Sequence, residues 1–290
     1  MAKNDIAWFN GQFVPHDSIK ISPDDRGFVF ADGVYEVIRS YRGQLFCFSD
    51  HIERLKRSLK QLWFNFPQID SIETISKQLL VENNLQNTDA KIYIQITRGV
   101  QDRNHKFPEN MVEPTVYLTA SEFSPDLQEQ ETGIKAITVS DFRWSRCDIK
   151  SISLLANIMA RQQATLQQAD EAIFIRDGMV LEGTHSNFFG IKNGVLVTHP
   201  ECNLILSGVT RKLVLQLAGE AGVKIELRPI TEIELLELDE IFIACTSQDI
   251  TPVIMLNHHA IGNRKAGKTT RELQTCFRNY IKLFIENTHS

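Results

Sequence analysis

The sequence predicts an α+β fold with a small α+β N-terminal domain and a larger, antiparallel, β-rich C-terminal domain. Three observations point there. Glycine-containing two-residue turns repeatedly separate apolar, strand-like runs. Apolar residues recur at helical spacing between those hairpins. A polar stretch, SEFSPDLQEQETG at 121–133, interrupts the apolar periodicity and reads as a linker. The expected domains are therefore 1–120 and 134–290.

The hairpin turns are Asn10-Gly11, Arg42-Gly43, Asp177-Gly178 and Asn193-Gly194. Tight two-residue turns demand positive φ, which Gly and Asn or Asp tolerate. Hairpins join antiparallel strands, whereas parallel strands need long crossovers, so the sheets are expected to be mainly antiparallel. Ser49 is a candidate cap for a helix with Ile52, Leu55, Leu59 and Leu62 on one face. A second helix follows Ser71, with Ile72, Ile75 and Leu79 inward. A third covers about 154–168. A fourth starts near Val209 and stops at Gly222. Thr231 and Glu234 form a candidate capping box for ITEIELLELD. A last helix covers much of 268–287.

At 290 residues the chain can bury a large core. Its net charge of -5 weighs against a nucleic-acid binder, which needs a basic face. No apolar run approaches the roughly 18–20 residues of a membrane span. The start, MAKNDIAWFN, has no apolar core of a signal peptide. Five scattered cysteines (47, 147, 202, 245 and 276) suit reduced thiols in a cytoplasmic protein.

Familiar catalytic motifs are missing: there is no HExxH, CxxC, Walker loop or GxSxG. His258 and His259 sit in an expected hairpin turn without a third ligand nearby, so no metal site is expected. What does appear suits an anionic, aromatic cofactor. Such a cofactor, pyridoxal phosphate, needs a lysine, a partner for its pyridine nitrogen and a phosphate cradle. Lys150, in FRWSRCDIKSISLL, can end a strand and point into a pocket, although most lysines are solvated. Glu182, in MVLEGTHSNFFGI, is either an edge carboxylate or a buried partner of a cation. LILSGVTRKLVLQLA reads as a strand end, a glycine turn and a helix start. A helix N-terminus presents free N–H groups to a phosphate; simple capping by Ser207 or Thr210 explains the same residues. Thr246, in CTSQDITPV, and Arg54, on the first long helix, are further candidates. Arg103 and His105 would point the same way from an extended segment and suit a carboxylate, or else form part of a polar loop.

The combination EGTHSNFFG, a Thr after VLV, and LSGVTR is similar to the signature of class IV aminotransferases, the fold type IV pyridoxal-phosphate enzymes. That family includes branched-chain aminotransferases, D-amino-acid transaminases and aminodeoxychorismate lyases. DRGFVFADGVYEVIR, TRGVQDRNHKFPEN and RWSRCDIKSISLL resemble the D-amino-acid transaminases in particular. The resemblance covers roughly residues 6–275.

The resemblance implies roles. Lys150 matches the lysine that holds pyridoxal 5'-phosphate as an imine and then shuttles the α-proton. Glu182 matches the glutamate that keeps the pyridine nitrogen protonated. Arg54, Val209, Thr210 and Thr246 match the phosphate cup, and Leu206 an apolar residue against the ring. Tyr35, Arg103 and His105 match the trap for the substrate α-carboxylate. In the family the Arg-x-His pair comes from the neighbouring subunit, which implies a homodimer. Cys245 and His185 depart from the pattern, where relatives carry small hydroxyl residues. Those positions are expected at the substrate side-chain pocket or its edge. The expected reaction moves an amino group from D-alanine, D-glutamate or D-aspartate to a 2-oxo acid in two half-reactions. The rival readings are an L-branched-chain aminotransferase, which should lack the Arg-x-His trap, an aminodeoxychorismate lyase, and a non-catalytic binding protein.

Overall fold

The structure, a computed structural model, describes residues 5–109 and 112–287. Residues 1–4 of the start and Asn110, which ends TRGVQDRNHKFPEN, lie outside the described residues. The chain forms two compact units. One contains the residues up to Ser124 together with Ile149–Ser153, and the other contains Pro125–Asp148 and Leu154–Asn287. The segment that carries Lys150 thus groups with the first unit, whereas the sequence put it in the C-terminal domain. Part of the expected linker is a short helix, Leu127–Thr132, capped by Asp126, whose side chain accepts from the backbone N–H groups of Gln128 and Glu129.

The first unit is built on β1 (Ile6–Phe9), β2 (Gln12–Pro15), β3 (Gly33–Tyr41), β4 (Gln44–Leu45), β5 (Ala90–Thr97) and β6 (Thr115–Glu122). They form one antiparallel sheet in the order β2-β1-β6-β5-β3-β4. Its helices are α1 (Arg26–Phe30), α2 (Phe48–Gln61) and α3 (Ile72–Glu82). Leu55, Leu59 and Leu79 pack on Val34, Ile38, Ile92 and Ile94 of the sheet. The turns at Asn10-Gly11 and Arg42-Gly43 have the positive φ expected of them. The expected Ser49 cap does not form. α2 starts two residues earlier, behind Cys47 in a left-handed conformation with no side-chain cap.

Gly33 shows why a glycine opens β3. A side chain there would meet the Ile96 carbonyl oxygen at 2.6 Å and Ile152 at 3.1 Å. Its own carbonyl accepts from Ile152 N at 3.1 Å. Without a Cβ, residues 149–153 lie against β3, and Ile149 joins this unit's core.

In the second unit the helix of the former linker is α4. The strands are β7 (Ile134–Ser140), β8 (Glu171–Arg176), β9 (Met179–Gly183), β10 (Asn187–Lys192), β11 (Val195–Thr198), β12 (Ile225–Leu227), β13 (Ile230–Thr231), β14 (Glu240–Cys245), β15 (Asp249–Leu256) and β16 (His259–Ala260). The helices are α5 (Leu155–Leu166), α6 (Val209–Glu220) and α7 (Lys268–Asn287). The sheet runs β12-β11-β10-β14-β15-β7-β8-β9-β13. Most pairs are antiparallel, but β7 lies parallel to both β8 and β15, and β11 parallel to β12. α5 supplies the β7-to-β8 crossover that a parallel pair requires. A further pairing, Asn187 to Glu182, joins β10 back to β9 and closes six strands into a ring. One face buries Ile173, Phe188, Ile243 and Val253, and the other buries Ile137, Ala172 and Phe174 with Ala160 and Ala164 of α5. The expected helix over ITEIELLELD is a single short 3₁₀ turn, Glu234–Glu237. Its N-cap is Ile233, with no side-chain cap, although Thr231 Oγ1 accepts from Glu234 N at 3.2 Å.

Candidate active site

In the first unit the candidate residues gather on β3, α2 and the 149–153 segment. Lys150 is not at a strand end, as the sequence suggested; it lies in an irregular segment bridged to β3 at Ser151. Its backbone is fixed on both sides. Lys150 N donates to Ser58 Oγ at 3.2 Å, and its carbonyl accepts from Tyr35 N at 3.0 Å. Its Nζ sits 4.2 Å from the centre of the Tyr35 ring, close enough for a cation–π contact. Lys150 and Tyr35 are both half-buried.

Behind them is a buried ionic cluster that the sequence reading missed. Glu36 is fully enclosed and accepts from Arg54 Nε and Nη2, each at 2.8 Å. His51 Nδ1 lies 2.8 Å from the same carboxylate. Burial pushes the Glu36 carboxyl up, but the Arg54 guanidinium outweighs it and holds the carboxyl well below its usual range. Burial, with Arg54 and Lys150 nearby, pushes His51 below its ordinary value despite Glu36, so His51 is neutral at pH 7 and donates from Nδ1. Arg54, which was expected to serve a phosphate, is thus aimed by a carboxylate and locked as a cation. A signal existed: Val34, Glu36, Ile38 and Ser40 share one side of β3, and all are buried.

Arg103 and His105 sit on an exposed loop and share one support, the Phe30 ring. The Arg103 guanidinium is 5.3 Å and the His105 ring 5.5 Å from its centre. The loop is tied down by Arg26, whose Nη1 donates to Asn104 O at 2.7 Å and whose Nε donates to Asp32. The fold thus brings Arg103 and His105 together, while Tyr35 meets Lys150 and Tyr93.

In the second unit Glu182 is the next-to-last residue of β9 and is buried. It accepts from Arg143 Nη1 at 2.5 Å, from Leu206 N at 2.9 Å and from Asn187 Nδ2 at 3.3 Å. Arg143 also serves Asp141 through Nε and Nη2, at 2.9 and 3.1 Å, and lies over the Phe174 ring. Burial dominates at Glu182 and raises its carboxyl above the usual carboxylate value, with Arg143 only partly offsetting it. A buried carboxyl in that condition favours a further cation beside it. Neither Arg143 nor Asn187 was assigned a role from sequence, although both lie inside the motifs quoted there.

Asn187 also donates to Leu206 O at 2.9 Å, and this fixes the turn before α6. Gly208 is the N-cap of α6, and a Cβ there would collide with Asn187 Oδ1. Gly208 has no side chain with which to cap the helix. Its first N–H groups, at Val209 and Thr210, therefore keep the anion-favouring end of the helix. Val209 and Thr210 are buried, while Leu206 and Thr246 are half-buried.

These residues test the fit of a pyridoxal phosphate cofactor. A ring nitrogen that carries a proton matches the raised, buried Glu182. A phosphate matches the glycine-capped start of α6. In the first unit, by itself, a fixed Arg54 and a lysine with an anchored backbone suit the same group. The donor sets fit the group.

Comparisons with known proteins agree in class. Residues 33–255 match the family described as amino-transferase class IV, and the chain belongs to that family. It is 40% identical to a D-alanine aminotransferase of Staphylococcus haemolyticus over 276 residues, covering 95% of this chain and 97% of that protein. It is also 40% identical to a D-alanine aminotransferase of Bacillus licheniformis over 273 residues, covering 94% of this chain and 96% of that protein. Among solved structures it resembles a branched-chain amino acid aminotransferase from Escherichia coli (TM-score 0.87, 27% identity, 95% of this chain and 93% of that one). A second branched-chain amino acid aminotransferase, solved with pyridoxamine 5'-phosphate, superposes at TM-score 0.86 and 25% identity, covering 96% of this chain and 94% of that one. Those likenesses define the fold type IV aminotransferase architecture.

The Glu36–Arg54 pair gives a prediction with a sign. A carboxyl depressed by folding stabilises the protein above its unfolded value of 4.5, and that stability is lost as pH falls towards its folded value. Glu36→Gln leaves Arg54 buried beside a neutral group and should cost about 3–5 kcal/mol at pH 7. In urea unfolding, the gap between variant and wild type should narrow below about pH 4.5. A gap that stays constant from pH 7 to pH 3 would contradict this account.

Proposed function

We propose that this protein transfers amino groups between D-amino acids and 2-oxo acids, with pyridoxal 5'-phosphate as its cofactor. The observation that carries the reading is the 40% identity, over nearly the whole chain, to proteins named D-alanine aminotransferase. The pairing of Arg103 with His105 on one aromatic ring supports it, because a guanidinium and an imidazole presented together suit an α-carboxylate. A cytoplasmic enzyme is the setting proposed. Among the described residues no helix is long and apolar enough to cross a membrane.

When bound, the cofactor supplies an aldehyde that takes up the amino group and a ring that accepts the electron pair left by the α-proton. The chain supplies the rest. Lys150 would hold the group covalently through Nζ. With its amine free, the same Nζ would serve as the base that takes the α-proton and gives it back. Glu182 would keep a proton on the ring nitrogen, and Leu206 would pack on the ring. Arg54, Val209, Thr210 and Thr246 hold the phosphate. Tyr35, Arg103 and His105 hold the α-carboxylate, and that placement decides which enantiomer turns its α-hydrogen towards Lys150. The alternatives on the same fold are an L-branched-chain aminotransferase and an aminodeoxychorismate lyase.

A panel of D- and L-amino acids with 2-oxoglutarate or pyruvate tests this reading. D-alanine, D-glutamate or D-aspartate should react far faster than their L-forms, and Lys150→Ala should abolish turnover. Arg103→Ala should lose a charge-assisted contact of roughly 1.5–3 kcal/mol, or about 10–150-fold in kcat/KM for D-substrates. L-leucine or L-valine outpacing every D-amino acid would place the protein with the branched-chain enzymes. Release of pyruvate with no amino acceptor would point to the lyase.

We also propose a homodimer in which Arg103 and His105 serve the partner's site. An apolar stripe on α5 supports it: Leu155, Ile158 and Met159 are 71%, 62% and 65% exposed, with Phe142 and Trp144 also open in the same unit. Apolar surface of that kind favours contact with a second copy. Lys150→Ala subunits, inactive alone, mixed with Arg103→Ala subunits, weakened alone, should give activity above that of the Arg103→Ala protein by forming one intact site. Proven hybrids with no such gain would contradict the shared site.

A further inference from the structure

The loop that presents Arg103 and His105 has no regular structure, and residues 102–107 are all exposed. It nevertheless sets both side chains over one ring, Phe30. Its hydrogen-bonded hold on the fold is one buried side chain, Arg26, which is 3% exposed. Arg26 Nη1 donates to Asn104 O at 2.7 Å and to Lys106 O at 3.4 Å, the two carbonyls that flank His105. Among the described residues, no other hydrogen bond reaches residues 102–107 from outside the loop. The Arg26 guanidinium also lies over Phe30, 4.9 Å from its centre, so it supports the shared ring as well as the backbone.

Arg26 is fixed in its turn by buried polar contacts. Asp25, 1% exposed, caps α1 by accepting from Gly27 N at 2.7 Å. It ties α1 to the sheet by accepting from Thr97 Oγ1 at 2.8 Å and from Thr115 Oγ1 at 2.5 Å. Gly27 allows that approach, because a Cβ there would meet Thr97 Cγ2 at 2.2 Å. Arg26 N donates to Gly99 O at 2.9 Å, at the root of the loop. Arg26 Nε donates to Asp32 Oδ2 at 2.8 Å. One planar fork thus spans from an interior carboxylate to the loop backbone, which the single nitrogen of a lysine cannot do.

We propose that Arg26 is a positioning residue for the substrate carboxylate: through the loop backbone and Phe30 it sets where Arg103 and His105 stand, without touching substrate itself. The inference rests on the proposed function, in which that pair holds the α-carboxylate. Burial keeps Arg26 away from substrate, and its N–H groups point at Asp32 and at the loop. A loop released from Arg26 still carries Arg103 and His105 but spreads them over many positions. Their contact with a carboxylate then costs more conformational freedom, and the α-carbon is oriented less tightly. Affinity for the carboxylate should fall, and with it the preference for D- over L-alanine. The role is separable from folding. Without Arg26, Asp32 keeps Arg98, which donates through Nε at 2.8 Å and Nη2 at 3.0 Å, so no buried carboxylate is left unpaired.

The test uses the full-length holoenzyme and two variants. Arg26→Lys keeps a cation beside Asp32, and Arg26→Met keeps an apolar stem against Phe30; both lose the fork. With D-alanine as substrate, each should raise KM about tenfold or more while kcat changes far less. Propionate, a carboxylate with no amino group, should compete with D-alanine in the wild type, and its inhibition constant should rise by a similar factor in the variants. Amide hydrogen exchange over residues 101–109 should quicken, while the melting temperature of Arg26→Lys stays near that of the wild type.

A folded Arg26→Lys protein with wild-type KM, propionate inhibition and loop exchange would overturn the proposal. So would a loss of kcat that tracks a lowered melting temperature in both variants, with KM unchanged. If loop exchange quickens but KM and propionate inhibition do not move, Arg103→Ala shows what has failed. An Arg103→Ala protein with a raised KM would overturn the role of Arg26 alone. One with an unchanged KM would refute the carboxylate trap of the proposed function.

Discussion

A carboxylate buried near the end of β9 organises the second unit. Glu182 collects donors from three stretches far apart in sequence: Arg143 after β7, Asn187 at the start of β10, and the Leu206 backbone before α6. Glu182 is also the residue at which β9 pairs with β10 to close the ring of six strands. One side chain therefore ties strand closure to the turn that starts α6. Asn187 repeats the link by bonding both Glu182 and the Leu206 carbonyl. Gly208 has to be a glycine because that asparagine fills the space a side chain would take. A carboxylate buried this deeply is tolerated only when its lone pairs are satisfied.

The two buried carboxylates Glu36 and Glu182 behave in opposite ways, and their donors explain why. Glu36 takes two guanidinium nitrogens of Arg54 and an imidazole nitrogen, so its charged form wins and its carboxyl is depressed. Glu182 takes one guanidinium nitrogen from an arginine whose other nitrogens are committed to Asp141, so burial wins and its carboxyl is raised. The first arrangement is self-contained and suits a fixed arginine. The second gains from another cation, which the proton on a pyridine nitrogen would provide. The contrast separates a carboxylate that positions a side chain from one proposed to serve a cofactor.

The turns and helices were legible in the sequence because they depend on local rules. Asn10-Gly11, Asp177-Gly178 and Asn193-Gly194 each place positive φ where a two-residue hairpin needs it. The parallel strands around β7 were not legible, since nothing local to a run such as IKAITV distinguishes a parallel from an antiparallel neighbour. Ser49 fails as a cap because α2 begins at Phe48 behind a left-handed Cys47, a conformation with no strong residue signal. Lys150 was identified as a candidate through motif resemblance, but its support by Ser58 and Tyr35 spans 92 and 115 residues of sequence and appears only in the fold. Glu36 was the avoidable omission, since its inward position follows from the alternation along β3.

The central claim is that Glu182 acts on the cofactor's ring nitrogen and is not merely a structural carboxylate, and Glu182→Gln tests it most directly. The glutamine keeps the shape and can still accept from Leu206 N, but it cannot hold a proton on the ring. Reconstituted with pyridoxal 5'-phosphate and mixed with D-alanine in a single-turnover experiment, the variant should bind the cofactor and remove the α-proton at least about tenfold more slowly than wild type. A variant that binds the cofactor and runs that half-reaction at the wild-type rate would contradict the account.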